Sequence, residues 1–233
     1  MSYTKLACIT SLLLLSVSVS QKGFAQSAIR WEPEFSYTWE AFQHWSFNTS
    51  LTGRNVWMDR ADEGQETYDW QFMEGQFFTN YEFFDGSELG GGYKYRMIAP
   101  FNDEFSGYEH RLMQQYAFVS FVGARRVAHR FRMEQRIRNT GTSNRIRYRL
   151  SYDFPTNGQQ LDPGETYLIF SEEVLWEFNA YENELDNRLY LGIGWFFTDK
   201  RKLEAGIQYR LEALNMGSPD SIFHFITSYY LNQ

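Results

Sequence analysis

Cysteine and histidine are the scarce residues of this 233-residue chain, which has one cysteine and four histidines. The cysteine, Cys8, lies in the first apolar stretch. Beyond it there is no thiol, no disulfide framework and no cysteine metal site. With so few histidines and no Gly-rich phosphate loop, the sequence offers no metal, nucleotide, nucleic-acid or cofactor site. Long apolar runs are missing too. A membrane-crossing helix needs about 20 apolar residues, and the longest candidate, residues 6–19, is shorter and diluted by Ser and Thr. A helical membrane protein is excluded.

That first stretch has a different reading. Residues 1–5 are weakly positive, Leu12 to Leu15 form an apolar centre, and Gly23 and Ala25 take the −3 and −1 positions of a signal-peptidase site. The expectation is a cleaved signal over residues 1–25 and one domain over 26–233. The competing reading is a buried N-terminal helix. Because Cys8 precedes the apolar run, lipoprotein-type cleavage does not fit. No internal repeat or linker divides the remainder.

What the chain has in quantity is aromatic side chains: 21 Phe, 16 Tyr and 7 Trp. They are dispersed with period two, as strands require. Trp45, Phe47, Thr49 and Leu51 alternate with Ser46, Asn48, Ser50, Thr52 and Arg54. Leu203, Ala205, Ile207, Tyr209 and Leu211 alternate with Glu204, Gly206, Gln208 and Arg210. Eleven candidate strands follow, near 31–41, 45–54, 68–81, 87–97, 109–121, 126–138, 144–154, 166–176, 187–197, 202–211 and 221–231. Most are about ten residues long, the length a tilted strand needs to cross a bilayer, where soluble proteins average five or six.

Connections alternate as well. Short turns fall near 41–44, 83–86, 122–125 and 198–201, and longer polar loops at 55–67, 98–108, 177–186 and 212–220. Membrane barrels of the bacterial outer membrane pair short periplasmic turns with long external loops. Only the long connection at 155–165 breaks the scheme. The expected fold is an all-β, antiparallel up-and-down transmembrane barrel of 10–12 strands. Because bacterial single-chain barrels have even counts, twelve is favoured, with a short extra strand near Ser27–Trp31.

Without Lys5 and Lys22, 20 basic residues face 29 acidic ones, a net of −9. Yet residues 125–149 hold nine arginines and a single acid, Glu134. Arg130, Arg132, Arg136 and Arg138 alternate with Phe131, Met133 and Ile137, and Arg145, Arg147 and Arg149 with Ile146 and Tyr148. A charge facing lipid near the midplane costs about 2–4 kcal/mol, so this ladder must face the lumen. Glu173, Arg188, Glu204 and Arg210 belong to the same lining, with Glu74 and either Glu172 or Glu173 as carboxylate partners. The ladder either attracts a small anionic solute or braces a closed interior. Acids at 59–66, 103–104 and 177–186 read as solvated loops. Trp31, Trp39, Trp45, Trp57, Trp70, Trp176 and Trp195 suit interfacial girdles. Gly90 to Gly92 mark a bend or a lumen constriction.

The segments His129-Arg-Phe-Arg-Met-Glu-Gln-Arg136 and Asn144-Arg-Ile-Arg-Tyr-Arg149 resemble an uncharacterised family of bacterial outer-membrane barrels, catalogued as a domain of unknown function. Similarity extends to the Glu-rich strand around Glu173, to Asn187-Arg-Leu-Tyr-Leu-Gly-Ile-Gly194 and to residues 224–231. The resemblance implies the fold and a place in a Gram-negative outer membrane, among its lipid and lipopolysaccharide. It brings no catalytic residues.

Three functions compete. The first is a non-enzymatic, porin-like narrow channel or a structural or interaction barrel. The second is a barrel enzyme acting on lipid A or phospholipid, for which His44 with Ser46 and His224 with Ser228 are the available pairs; an unrelated lipid A deacylase barrel spaces His and Ser like the first. The third is a soluble exported β-sandwich that binds carbohydrate.

Overall fold

A computed structural model describes residues 26–59, 69–101, 107–122, 125–158, 161–217 and 219–233. The signal expected at 1–25 and the acids at 62–66 and 103–104 lie outside the described residues. The described chain forms eleven strands. They are β1 (Gln26–Phe42), β2 (Trp45–Asp59), β3 (Asp69–Phe84), β4 (Ser87–Ile98), β5 (Gly107–Val122), β6 (Arg125–Arg138), β7 (Gly141–Pro155), β8 (Glu165–Phe178), β9 (Asn183–Thr198), β10 (Arg201–Glu212) and β11 (Asp220–Asn232).

Each strand pairs antiparallel with its neighbour in sequence, and β1 closes onto β11 to complete a barrel. That last pair is parallel. The reason is parity: in an up-and-down meander all odd-numbered strands run the same way, so strands 1 and 11 must close in parallel. The favoured count of twelve is therefore corrected to eleven among the described residues. Residues 27–31, expected as an extra strand, are the opening of β1 and pair with β2 and β11. Closure also overturns the β-sandwich alternative.

The strands are longer than their apolar patterns, at 12–17 residues, because polar residues continue the ladders beyond the apolar stretches. Asn55 and Glu177, read as loop, lie inside β2 and β8, toward their C-terminal ends. The β8–β9 connection shrinks to residues 179–182, where the Asn179 carboxamide accepts the amides of Tyr181 and Glu182. The β6–β7 connection is a tight turn at 139–140, at the same end as the long loops. The long connection at 156–164 stands at the opposite end, as the sequence indicated.

On the inner face, rings lie across glycines. Phe78 covers Gly92, Tyr167 covers Gly194, and Tyr190 covers Gly192 and Gly206. A side chain at any of these glycines would occupy the ring's place. Glycine in a strand often marks such a close approach, and Gly92 thus serves the constriction reading. Tyr167, Ile169 and Tyr190 form a buried cluster with Leu161, Phe196 and Ile226 packed against it, toward the short-turn end.

Gly194→Val is expected to lower stability by about 1–3 kcal/mol, the usual cost of overpacking. Gly75→Ala, whose new methyl would sit 3.6 Å from Leu51, is expected to change little. Unfolding midpoints in detergent micelles check both.

Candidate functional site

Alternation turns the ladder inward, and four carboxylates organise it. Glu109 takes Arg136 at 2.8 and 2.9 Å, Arg138 at 3.0 Å, and Arg111. Glu177 takes Arg138 at 2.7 Å, Arg145 at 2.9 Å, Arg136, and the Ser143 hydroxyl at 2.6 Å. Glu173 takes Arg147 at 2.7 Å, Arg149 at 3.1 Å and Arg130 at 3.2 Å. Glu134 takes Arg147 at 2.6 Å and has Arg111 at 3.8 Å. Two further centres lie across the lumen. Glu74 pairs with Lys94 and, at 2.7 Å, with Arg96. Glu32 pairs with Arg54 at 2.7 Å and Arg210 at 2.9 Å.

The layering of these groups matters for chemistry. Glu109, Glu134 and Glu173 are 1%, 0% and 2% exposed, so they lie against the barrel wall. The longer arginines reach past them toward the axis. A cavity of about 540 Å³ occupies that axis. Twelve Lys and Arg side chains border it against six Asp and Glu. The wall is nearly balanced in charge, but the surface presented to the void is cationic. Arginine suits such a surface because its planar fork binds carboxylate or phosphate in two places.

Among the described residues, two arginines of the lining have no carboxylate at hydrogen-bond distance. Arg132 donates to the Gln115 carboxamide at 2.6 Å and lies over the Phe78 ring at 4.8 Å. Arg188 comes no nearer to an acid than 3.8 Å, at Asp186. A second cavity, of about 250 Å³, opens at the long-loop end and shares Arg136 and Arg145 with the first.

Of the two alternatives Glu172 and Glu173, it is Glu173 that takes the arginines, while Glu172 faces outward; adjacent strand residues cannot share a face. Several other expectations are corrected. Glu204 lines the lumen but accepts the hydroxyls of Tyr167 at 2.7 Å and Tyr230 at 3.3 Å instead of an arginine. Glu177 and Asp186 are not solvated loop acids: the first is an arginine hub, and the second is buried in β9. His224 is fully buried with Nδ1 2.6 Å from Glu32, while the Ser228 hydroxyl donates to Glu34 at 3.4 Å, so the pair is not a dyad. His44 sits in the β1–β2 turn with φ 66°, its ring against Tyr81.

Residues 33–218 match the family described as "Protein of unknown function (DUF2490)". The chain belongs to that family. No curated protein matches it. In this DUF2490 member the matched region runs from within β1 to the β10–β11 connection, so it contains every arginine of the ladder and its four carboxylate hubs. Glu32 and the strand β11 fall outside it. Glu109 and Arg111, missed in the sequence, announce themselves by their spacing of two inside an expected strand.

Glu173→Ala leaves three guanidinium groups without their shared anion. Removing one partner of a buried pair costs about 3–5 kcal/mol. Glu173→Ala should therefore unfold well before the wild type in a denaturant titration; equal midpoints would contradict the hub assignment.

Proposed function

We propose that this DUF2490 member is an exported outer-membrane barrel whose lumen forms a narrow, anion-selective passage. The observation that carries the membrane part is the distribution of apolar side chains. Leu51 and Leu191 are each 65% exposed, Ile207 56% and Leu89 54%, and all four point away from the lumen. An apolar surface wrapped around a whole barrel is far beyond the few hundred Å² patches of soluble monomers. Aromatic clusters stand near both strand ends: Trp39 with Phe47 and Phe77 on one side, Trp31 with Trp57 and Phe225 on the other. Such girdles suit the two bilayer interfaces.

The passage rests on the cationic cavity. A low-dielectric cleft lined by one sign of charge concentrates counter-ions. Solutes bearing carboxylate or phosphate fit the lining, entering through the long-loop mouth past Arg136 and Arg145. The cluster of Tyr167 and Tyr190 narrows the way at the other end, so the passage conducts weakly.

Purified protein in planar bilayers should give small, anion-selective unitary currents. Tyr190→Ala should enlarge them, and Arg132→Gln with Arg188→Gln should reduce the preference for anions. Silence from both the wild type and Tyr190→Ala would contradict the passage.

A further inference from the structure

The outer face of a membrane barrel needs only apolar side chains, yet one sector here carries a connected polar chain. Ser120 on β5 and His129 on β6 lie on neighbouring antiparallel strands. Register pairs Ser120 with Val127 and Phe118 with His129, so both side chains project outward on a diagonal. The Ser120 hydroxyl lies 2.7 Å from Nε2 of His129. On the far side of the imidazole, Nδ1 lies 2.9 Å from the Tyr148 hydroxyl on β7. The Phe118 ring stacks flat on the imidazole, 4.5 Å away and 7° from parallel, fixing its plane.

Diagonal to Tyr148 on the same face lies Glu172 of β8, whose Oε1 accepts the Asn187 carboxamide of β9 at 3.1 Å. By alternation, Glu172 is the one Asp, Glu, Lys or Arg turned outward within a strand's interior among the described residues. It is 6% exposed. An acid on that face is unfavourable, so stability alone gives no reason for it. The bond between Nδ1 of His129 and the Tyr148 hydroxyl selects the tautomer: when the phenol oxygen accepts Nδ1–H, the other ring nitrogen carries no proton. Nε2 is then the free base facing the Ser120 hydroxyl.

We propose that Ser120 and His129 are the catalytic residues of a lipid-facing hydrolase site, that Tyr148 is its positioning residue, and that its substrate is the acyl ester of a glycerophospholipid. A nucleophile bonded to a base that a third group orients is the arrangement such catalysis requires. The location selects the substrate. Ser120 is two residues from the end of β5 at the short-turn side, near a girdle that includes Phe83 and Tyr116. That is the depth at which glycerol esters meet the acyl chains. In the first step Ser120 Oγ bonds to the ester carbonyl carbon while its proton passes to Nε2. The bond from that carbon to the glycerol oxygen breaks, and the departing oxygen takes the proton from His129. Water then gives a proton to His129 and adds to the acyl carbon. The acyl–Ser120 bond breaks, Oγ recovers the proton, and a fatty acid leaves.

The site relies on the membrane placement above only for its substrate, so the test has two arms. In detergent, the full-length protein should hydrolyse a soluble short-chain nitrophenyl ester and be labelled by a fluorophosphonate. In vesicles of phosphatidylethanolamine and phosphatidylglycerol it should release fatty acid. Ser120→Ala should abolish labelling and lower both rates by on the order of 10³-fold. Tyr148→Phe should lower kcat roughly 10- to 100-fold with KM kept and the pH profile displaced. Gln114→Ala, on the same face but outside the chain, should change neither. Folding of each variant is read from heat-dependent gel mobility. Hydrolysis and labelling that survive Ser120→Ala, or their absence from folded wild type in detergent, would overturn the site. Release of acyl groups from lipopolysaccharide but not from phospholipid vesicles would overturn the assigned substrate. Ester hydrolysis by a protein that does not partition into vesicles would keep the site and defeat the membrane reading.

Discussion

Glu109, Glu134, Glu173 and Glu177 each hold two or three arginines, and the interior of this barrel rests on that pairing. An isolated buried charge is expensive, and a buried pair is tolerated only when its geometry and remaining hydrogen bonds are good. Here the geometry comes from alternation. Strands β6, β7 and β8 set cations and anions on one face at a spacing of two, and antiparallel register brings them side by side. The same alternation leaves the opposite face free for apolar side chains. Inner ion network and outer apolar belt are two results of one periodicity.

That periodicity is why most of the fold was legible. All eleven strands and the inward aim of Arg130 through Arg149 follow from it. What it could not give was parity and phase at close range. Glu172 and Glu173 are adjacent, and only the register Arg149–Glu173 decides which one enters the lumen. Glu177 was read as a solvated acid because charge marks both loops and lumen-facing strand ends. The even strand count is a regularity of other barrels that no local residue pattern of this chain enforces. The parallel β1–β11 seam removes the edge that an odd sheet would otherwise leave open.

The histidines show the same limit from the functional side. His44 and His224 drew notice because a serine lies nearby in sequence. The bonded pair instead spans a hairpin, Ser120 and His129, nine residues apart. Proximity across a ladder is set by the position of the turn, which sequence spacing alone does not report. Two faces of one wall therefore carry different chemistry. The lumen presents guanidinium groups to its cavity, and the outer face holds a hydroxyl–imidazole–phenol chain.

The central claim, that one face of every strand meets hydrocarbon while the other holds the ion network, is tested most directly along β10. Single cysteines at 203, 205, 207 and 209, and at 204, 208 and 210, would each carry a fluorophore in protein lacking Cys8 and reconstituted in brominated lipid. The account predicts strong quenching at the first four positions and little at the other three. Uniform quenching, or none, would contradict it.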